Sequence, residues 1–112
     1  MPFEDLEVWK RSMALSAEIY RYFVNHGDFG FRDQITRAGL SIPSNISEGY
    51  ERNSNREMVQ FLAYAKGSSG ELRTQIHIGR DIGYIDEQTA SRWISEAREL
   101  SRMIHSLINA RS

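Results

Sequence analysis

Apolar side chains recur at steps of three and four from one end of this chain to the other, the spacing of one face of an α-helix. The first segment runs Leu6, Trp9, Met13, Ala17, Tyr20 and Val24, behind an acidic start (Glu4, Asp5, Glu7) that suits the positive end of a helix dipole. Gly27 is its predicted stop, and Asn25 to Gly30 the loop. The second runs Phe31, Ile35, Ala38, Ile42, Ile46 and Gly49. Pro43 falls inside it and removes a backbone hydrogen bond, yet the apolar register continues on both sides, so the reading is one kinked helix. Ser54-Asn55-Arg56-Glu57 is a capping box and opens a third segment: Met58, Phe61, Leu62, Ala65, Ser69, Leu72, Ile76 and Gly79. Gly83 ends it. Asp86 caps a fourth, with Ala90, Trp93, Ala97, Leu100, Ile104 and Leu107 along its stripe. No strand alternation competes. Four helices with short connections make antiparallel neighbours, so the expected fold is an all-α, up-down-up-down four-helix bundle in one domain, residues 1–112.

Composition narrows the function classes. Fourteen basic and fifteen acidic side chains leave a net charge of -1, which excludes a nucleic-acid binder working by bulk charge alone. Without cysteine there is no disulfide, thiolate metal site or thiol nucleophile. The longest run free of Asp, Glu, Lys and Arg, Ala38 to Ser47, is polar and far short of the roughly 20 apolar residues of a membrane span. Glu4, Asp5 and Glu7 stand where a signal peptide would carry its basic leader, so a cytoplasmic address is expected, with no membrane partner.

Five glycines (Gly39, Gly49, Gly67, Gly70, Gly79) fall inside or at the ends of the helical patterns. Each one in a helix interior costs about 1 kcal/mol against alanine. Close approach of a backbone, from another helix or from a partner, is the physical reason to keep them.

Two polar rows stand beside the apolar stripes when successive residues are placed about 100° apart. The second helix carries Gln34, Arg37, Ser41, Asn45, Glu48 and Arg52; the third carries Glu57, Tyr64, Ser68, Glu71 and Gln75. Folding the helices back around Asn53 sets Arg37 level with the Ser68 to Glu71 turn, which predicts a hydrogen-bonded structural seam with Arg37 and Glu71 paired. An acid/base or metal role for Glu48 and Glu71 lacks support, because no histidine stands three or four residues from either. His26, His77 and His105 are at no ligand spacing, and no serine sits in a nucleophile elbow. No catalytic, metal or cofactor site is expected.

The third helix also carries a basic stripe: Arg52, Arg56, Lys66, Arg73, His77 and Arg80 share an arc of about 120°, with Asp81 the sole acid in it. A charge stripe is most simply a solvated face. The competing reading is a phosphate-contacting surface, with Ala63 and Gly70 leaving room for a nucleic-acid backbone between the cations. Twelve of the fourteen basic residues are arginine, the side chain best matched to phosphate.

Several segments of the chain resemble the 23S rRNA intervening-sequence protein family. They are Leu6-Glu7-Val8-Trp9, Gln34-Ile35-Thr36-Arg37-Ala38, Ser41-Ile42-Pro43-Ser44-Asn45-Ile46-Ser47-Glu48-Gly49, Phe61-Leu62-Ala63-Tyr64-Ala65-Lys66-Gly67-Ser68, Glu71-Leu72-Arg73-Thr74-Gln75 and Ile82-Gly83-Tyr84. The family more often shows alanine at the position of Ser47 and glutamate near Arg73. The resemblance implies a four-helix bundle assembling as a homopentameric ring, with a role that is not a known catalytic one. It also places this fold beside the accessory proteins of diversity-generating retroelements, which bind nucleic acid through a strongly basic surface. The expectation is a non-enzymatic, oligomeric protein that binds RNA or a ribonucleoprotein through the basic stripe; the rival is a protein–protein adaptor that ignores nucleic acid.

Overall fold

The computed structural model describes residues 1–111. A single 3₁₀ turn, Phe3–Asp5, precedes α1 (Glu7–Tyr22), α2 (Phe29–Tyr50), α3 (Asn55–Asp81) and α4 (Glu87–Arg111). Contacts climb along one helix as they descend the next. Arg11 meets Glu96 while Glu18 meets Arg92, Ser41 meets Ser68 while Gly49 meets Met58, and Lys66 meets His105 while Arg80 meets Glu87. Sequential helices are therefore antiparallel, and α4 returns to close against α1. At about 1.5 Å per residue, the 27 residues of α3 span nearly the whole 43 Å long axis.

The core is the expected one in three helices. Ile35, Ala38, Ile42 and Ile46 of α2, Met58, Leu62, Ala65, Leu72 and Ile76 of α3, and Ala90, Trp93, Ala97, Leu100 and Ile104 of α4 are all buried. Pro43 is buried within one unbroken helical span. Phe31, Phe61 and Leu107 are only half-buried, and Ile94 of α4, outside the predicted stripe, is buried.

Helix α1 differs from its predicted phase. The buried face is Val8, Ser12, Leu15, Ser16, Ile19 and Phe23, whereas Met13, Tyr20 and Val24 are exposed. The helix carries two apolar rows, and the sequence pattern follows the one with larger side chains. The row that packs contains two serines, because small side chains let α1 approach α2: the backbone of Gly39 lies against Ser16 and Ile19. Ser12 satisfies its hydroxyl within its own helix by donating to the Trp9 carbonyl at 3.0 Å. Trp93 is fully buried as expected, while Trp9 is half-buried and rests edge-on against Phe3.

Caps separate the helices. Ser54 accepts from the Glu57 amide at 3.2 Å, and Asp86 from the Thr89 amide at 2.8 Å. The start of α2 is two residues earlier than predicted because Asp28 caps it, accepting from the Phe31 amide at 3.0 Å. After α3, Gly83 takes φ +83°, and two bonds close the turn: Gly83 to the Arg80 carbonyl and Tyr84 to the Gly79 carbonyl. That pair is the Schellman arrangement, which needs the left-handed conformation glycine adopts without strain. Gly27 does not play this part, since its φ is not positive; α1 ends at Tyr22 with Phe23 as its cap.

Helices α1 and α4 leave an open groove of about 1230 Å³ between them, bridged by ion pairs instead of filled by side chains. Arg11 holds Glu96 through two hydrogen bonds, and Arg92 holds Glu18. Glu18 also accepts from the indole N–H of Trp93 at 3.0 Å, which satisfies the one polar atom of the largest buried side chain. The hydrogen bond from Arg92, with that from Trp93, holds the Glu18 carboxyl below its ordinary range.

Two outcomes follow. Alanine at either Gly27 or Gly83 meets no neighbouring atom, so only backbone conformation separates them. Gly83→Ala is expected to lower stability by about 1–2 kcal/mol, and Gly27→Ala to leave it level or raise it slightly, in urea melts. Equal effects would remove the cap from its role. For Glu18 the folded pKa lies below the unfolded one, so its contribution is complete above the usual carboxylate range and disappears as pH falls through the folded value. Melting temperature should fall below about pH 4, and Glu18→Gln should make that fall shallower.

Candidate functional site

Two surfaces hold the polar residues singled out in the sequence. The first runs along the α2/α3 junction. Ser41 and Ser68 lie with hydroxyl oxygens 2.9 Å apart. Asn45 donates to both the Ser41 carbonyl (2.8 Å) and the Ser41 hydroxyl (2.9 Å), which leaves the Ser41 proton for Ser68. Gln75 is half-buried, and its side-chain oxygen is enclosed without a partner. These small polar groups form where α2 and α3 approach closely: a Cβ on Gly49 would stand 3.1 Å from the Met58 carbonyl oxygen.

The seam does not extend to the charged members of the two rows. Arg37 and Glu71 are both exposed, and no ion pair within 4 Å joins them. They sit level with the Ser41–Ser68 contact but on the outward side of their helices, so height along the bundle matched and rotation about the helix axis did not. Gln34 is likewise exposed. Glu48 pairs with Arg52 one turn on, at 3.3 Å. Among the described residues, Glu71 is the one carboxylate beyond a helix's first turn and inside its span that no cation approaches within 4 Å.

The second surface is the furrow between α3 and α4. Lys66 Nζ lies 3.2 Å from His105 Nδ1, and Arg80 reaches Glu87 at 4.0 Å, so the basic stripe of α3 borders α4. Its ends are partly neutralised. Arg80 contacts His77 Nδ1 (3.1 Å) and Asp81 (3.5 Å); Arg52 is shared between Glu48 and Glu57 and stacks on Phe61. Arg56 is exposed at one end and Arg73 half-buried in the middle, and neither is in an ion pair. Gly70 leaves open space between Lys66 and Arg73.

The sequence reading of this surface omitted α4. Arg98 stands one heptad before His105 and so projects on the same side of its helix, adding a cation opposite the stripe. The signal was present as the spacing Ser91, Arg98, His105, but only the α3/α4 pairing shows that it faces Lys66. On heptad spacing the furrow gathers Lys66 and Arg73 from α3 with Arg98 and His105 from α4, with Glu87 at one end and Val59 toward the other.

Known proteins were compared with this arrangement. The model of the 23S rRNA-intervening sequence protein family matches residues 4–106. A crystal structure of a protein of unknown function from the S23 ribosomal protein family of Bacteroides thetaiotaomicron aligns with a TM-score of 0.85 at 24% identity, covering 90% of this chain and 97% of that one. At that identity the likeness establishes the fold. No curated protein matches the chain.

The geometry separates the seam's neutral part from its charged part by experiment. Asn45→Ala strands the half-buried Ser41 groups and should cost about 1–2 kcal/mol, whereas Glu71→Ala removes a solvated side chain and should change monomer stability by less than about 0.5 kcal/mol. Chemical denaturation of both variants at low protein concentration checks this; a large loss for Glu71→Ala would restore the Arg37–Glu71 pair.

Proposed function

The chain belongs to the 23S rRNA-intervening sequence protein family, and on that premise we propose that it acts without catalysis, as a ring-forming homo-oligomer, a pentamer, that binds RNA through the α3/α4 furrow. The observation that carries the reading is the facing of two helices: Lys66 and Arg73 from α3, with Arg98 and His105 from α4, line one furrow of a chain whose net charge is -1. A basic strip on a neutral protein attracts phosphate locally and not by bulk field. The open backbone at Gly70 gives a sugar–phosphate chain room to come close.

Few free cations predict weak binding by one copy, sensitive to ordinary salt. Repetition around a ring raises the effective concentration of the second and later furrows, which turns modest affinity into avidity. The proposed site of action is inside the cell, where RNA is available.

The test is a titration of a structured and a single-stranded RNA with the wild type and with Arg73→Glu/Arg98→Glu, at two salt concentrations. Wild-type affinity should drop with salt, and the variant should bind at least about tenfold more weakly, with a salt slope smaller by about one for each phosphate contact removed. Absence of wild-type binding at low salt would leave the furrow a solvated face. It would favour the adaptor reading, for which the ion-paired state of Arg52 and Arg80 already speaks.

A further inference from the structure

Two apolar areas stay exposed on different sides of the bundle. One is the groove between α1 and α2, of about 480 Å³, lined by Tyr20, Val24, Thr36 and Leu40 and bordered by Arg32 and Arg37. The other is the α2-side edge of α3, where Tyr64 and Ile78 are 49% and 48% exposed with Glu71 between them at heptad spacing. Each area thus carries an uncovered apolar row and a charge without an ion-pair partner, positive on the first and negative on the second. Arg32 is already engaged with Asp33 and stacks on Phe29, which leaves Arg37 as the groove's free cation.

We infer that these two areas are the two halves of one contact between copies of this chain, in which Arg37 of one copy pairs with Glu71 of the next. The inference deepens the assembly part of the proposed function and rests on it. Three observations lead to a second copy as the occupant. The charges are opposite and both unspent within the chain. Exposed apolar side chains flank both, Tyr20, Val24 and Leu40 at the groove and Tyr64 and Ile78 along the edge. And the α3 edge presents little bulk beside Glu71, because a Cβ on Gly67 would meet nothing within 4 Å.

The proposed ring requires one kind of symmetry. A two-fold dimer would make the pair twice, Arg37 to Glu71 and Glu71 to Arg37 between the same two copies, whereas a head-to-tail contact makes it once on each side of every copy. Such a head-to-tail contact closes into a ring when the patches are turned toward each other. They occupy adjacent sides of the bundle, meeting at the α2 corner, the placement that a turning contact of this kind requires. A partner on opposite sides would extend as a filament instead.

The experiment is a charge exchange followed by light scattering across a concentration series, with circular dichroism melts of every variant. Both residues are exposed, so Arg37→Glu and Glu71→Arg should keep the wild-type helical signal. Each single reversal places like charges across the contact and should move the assembly midpoint to at least about tenfold higher protein concentration. The double exchange, Arg37→Glu/Glu71→Arg, should bring it back. A wild type that stays at the 12.9 kDa of one chain throughout would overturn the assembly reading itself. An assembly indifferent to the single reversals, or a double exchange that stays dissociated, would overturn the pairing and leave assembly standing.

Discussion

Two aspartates at one end of the bundle each serve twice, and through them the two connections at that end are joined. Asp28 caps α2 through the Phe31 amide and accepts the Tyr84 hydroxyl at 2.8 Å; Asp86 caps α4 through the Thr89 amide and accepts from Tyr22 at 3.2 Å. In each case the tyrosine comes from outside the connection that carries the aspartate. The α1–α2 and α3–α4 connections are thereby tied to one another, and sliding the helix pairs would break the tyrosine–aspartate bonds. These bonds, led by those from the backbone amides, hold both carboxyls below their ordinary range. Under them lies a cluster of rings, with Phe23 against Phe31, Tyr22 against Trp93, and His26 4.3 Å from Tyr84. Gly79 has no side chain because one would strike Ile85, at 2.6 Å, and Phe31. The register at this end is the one in which Ser41 meets Ser68 and Lys66 meets His105 along the shafts.

Where a single periodic pattern existed, the fold was legible in the sequence. Helices α3 and α4 have one apolar stripe each and unambiguous caps, Ser54 and Asp86, and their cores match apart from the half-buried Phe61 and Leu107 and from Ile94, which is buried outside the predicted stripe. Helix α1 was legible as a helix and illegible in phase, because periodicity ranks rows by bulk while packing against Gly39 selects for small side chains. Spacing gives the angle of each residue on its own helix and, with loop length, its height against a neighbour. It does not give the rotation of one helix toward the next. That missing angle is why the seam was found at Ser41, Asn45 and Ser68 but not at Arg37 and Glu71, and why Arg98 went unnoticed. Asp28 was missed for another reason: Gly27 and Gly30 on either side of it read as loop, although an aspartate three residues before Phe31 is a local cap signal.

The helix glycines divide in a way that bears on this. Gly39, Gly49 and Gly79 lie against α1, against Met58 and Phe61, and against Ile85 and Phe31, so each is explained by a neighbour within the chain. Gly67 and Gly70 touch nothing. At about 1 kcal/mol each against alanine, in a domain stable by perhaps 5–15 kcal/mol, two unexplained glycines in one helix are a real cost. Both lie on the outward half of α3, Gly67 toward the α2 edge and Gly70 toward the α4 furrow. The two proposed contacts use one each.

That division keeps the two contacts from competing. The faces proposed to join copies lie on the α1/α2 and α2/α3 sides of the bundle, and the basic furrow lies on the α3/α4 side. A ring built at the α2 corner therefore leaves every furrow open and repeats it at a fixed angle around the assembly. The near-neutral charge then has a physical consequence. Strongly basic subunits would repel one another as they gather, whereas in the proposed ring a chain of net charge -1 would escape that penalty and keep its local strip of cations. In the proposed assembly, weak furrows on a near-neutral subunit are compatible with tight binding by the whole ring, because avidity depends on the spacing of sites as well as on the affinity of each.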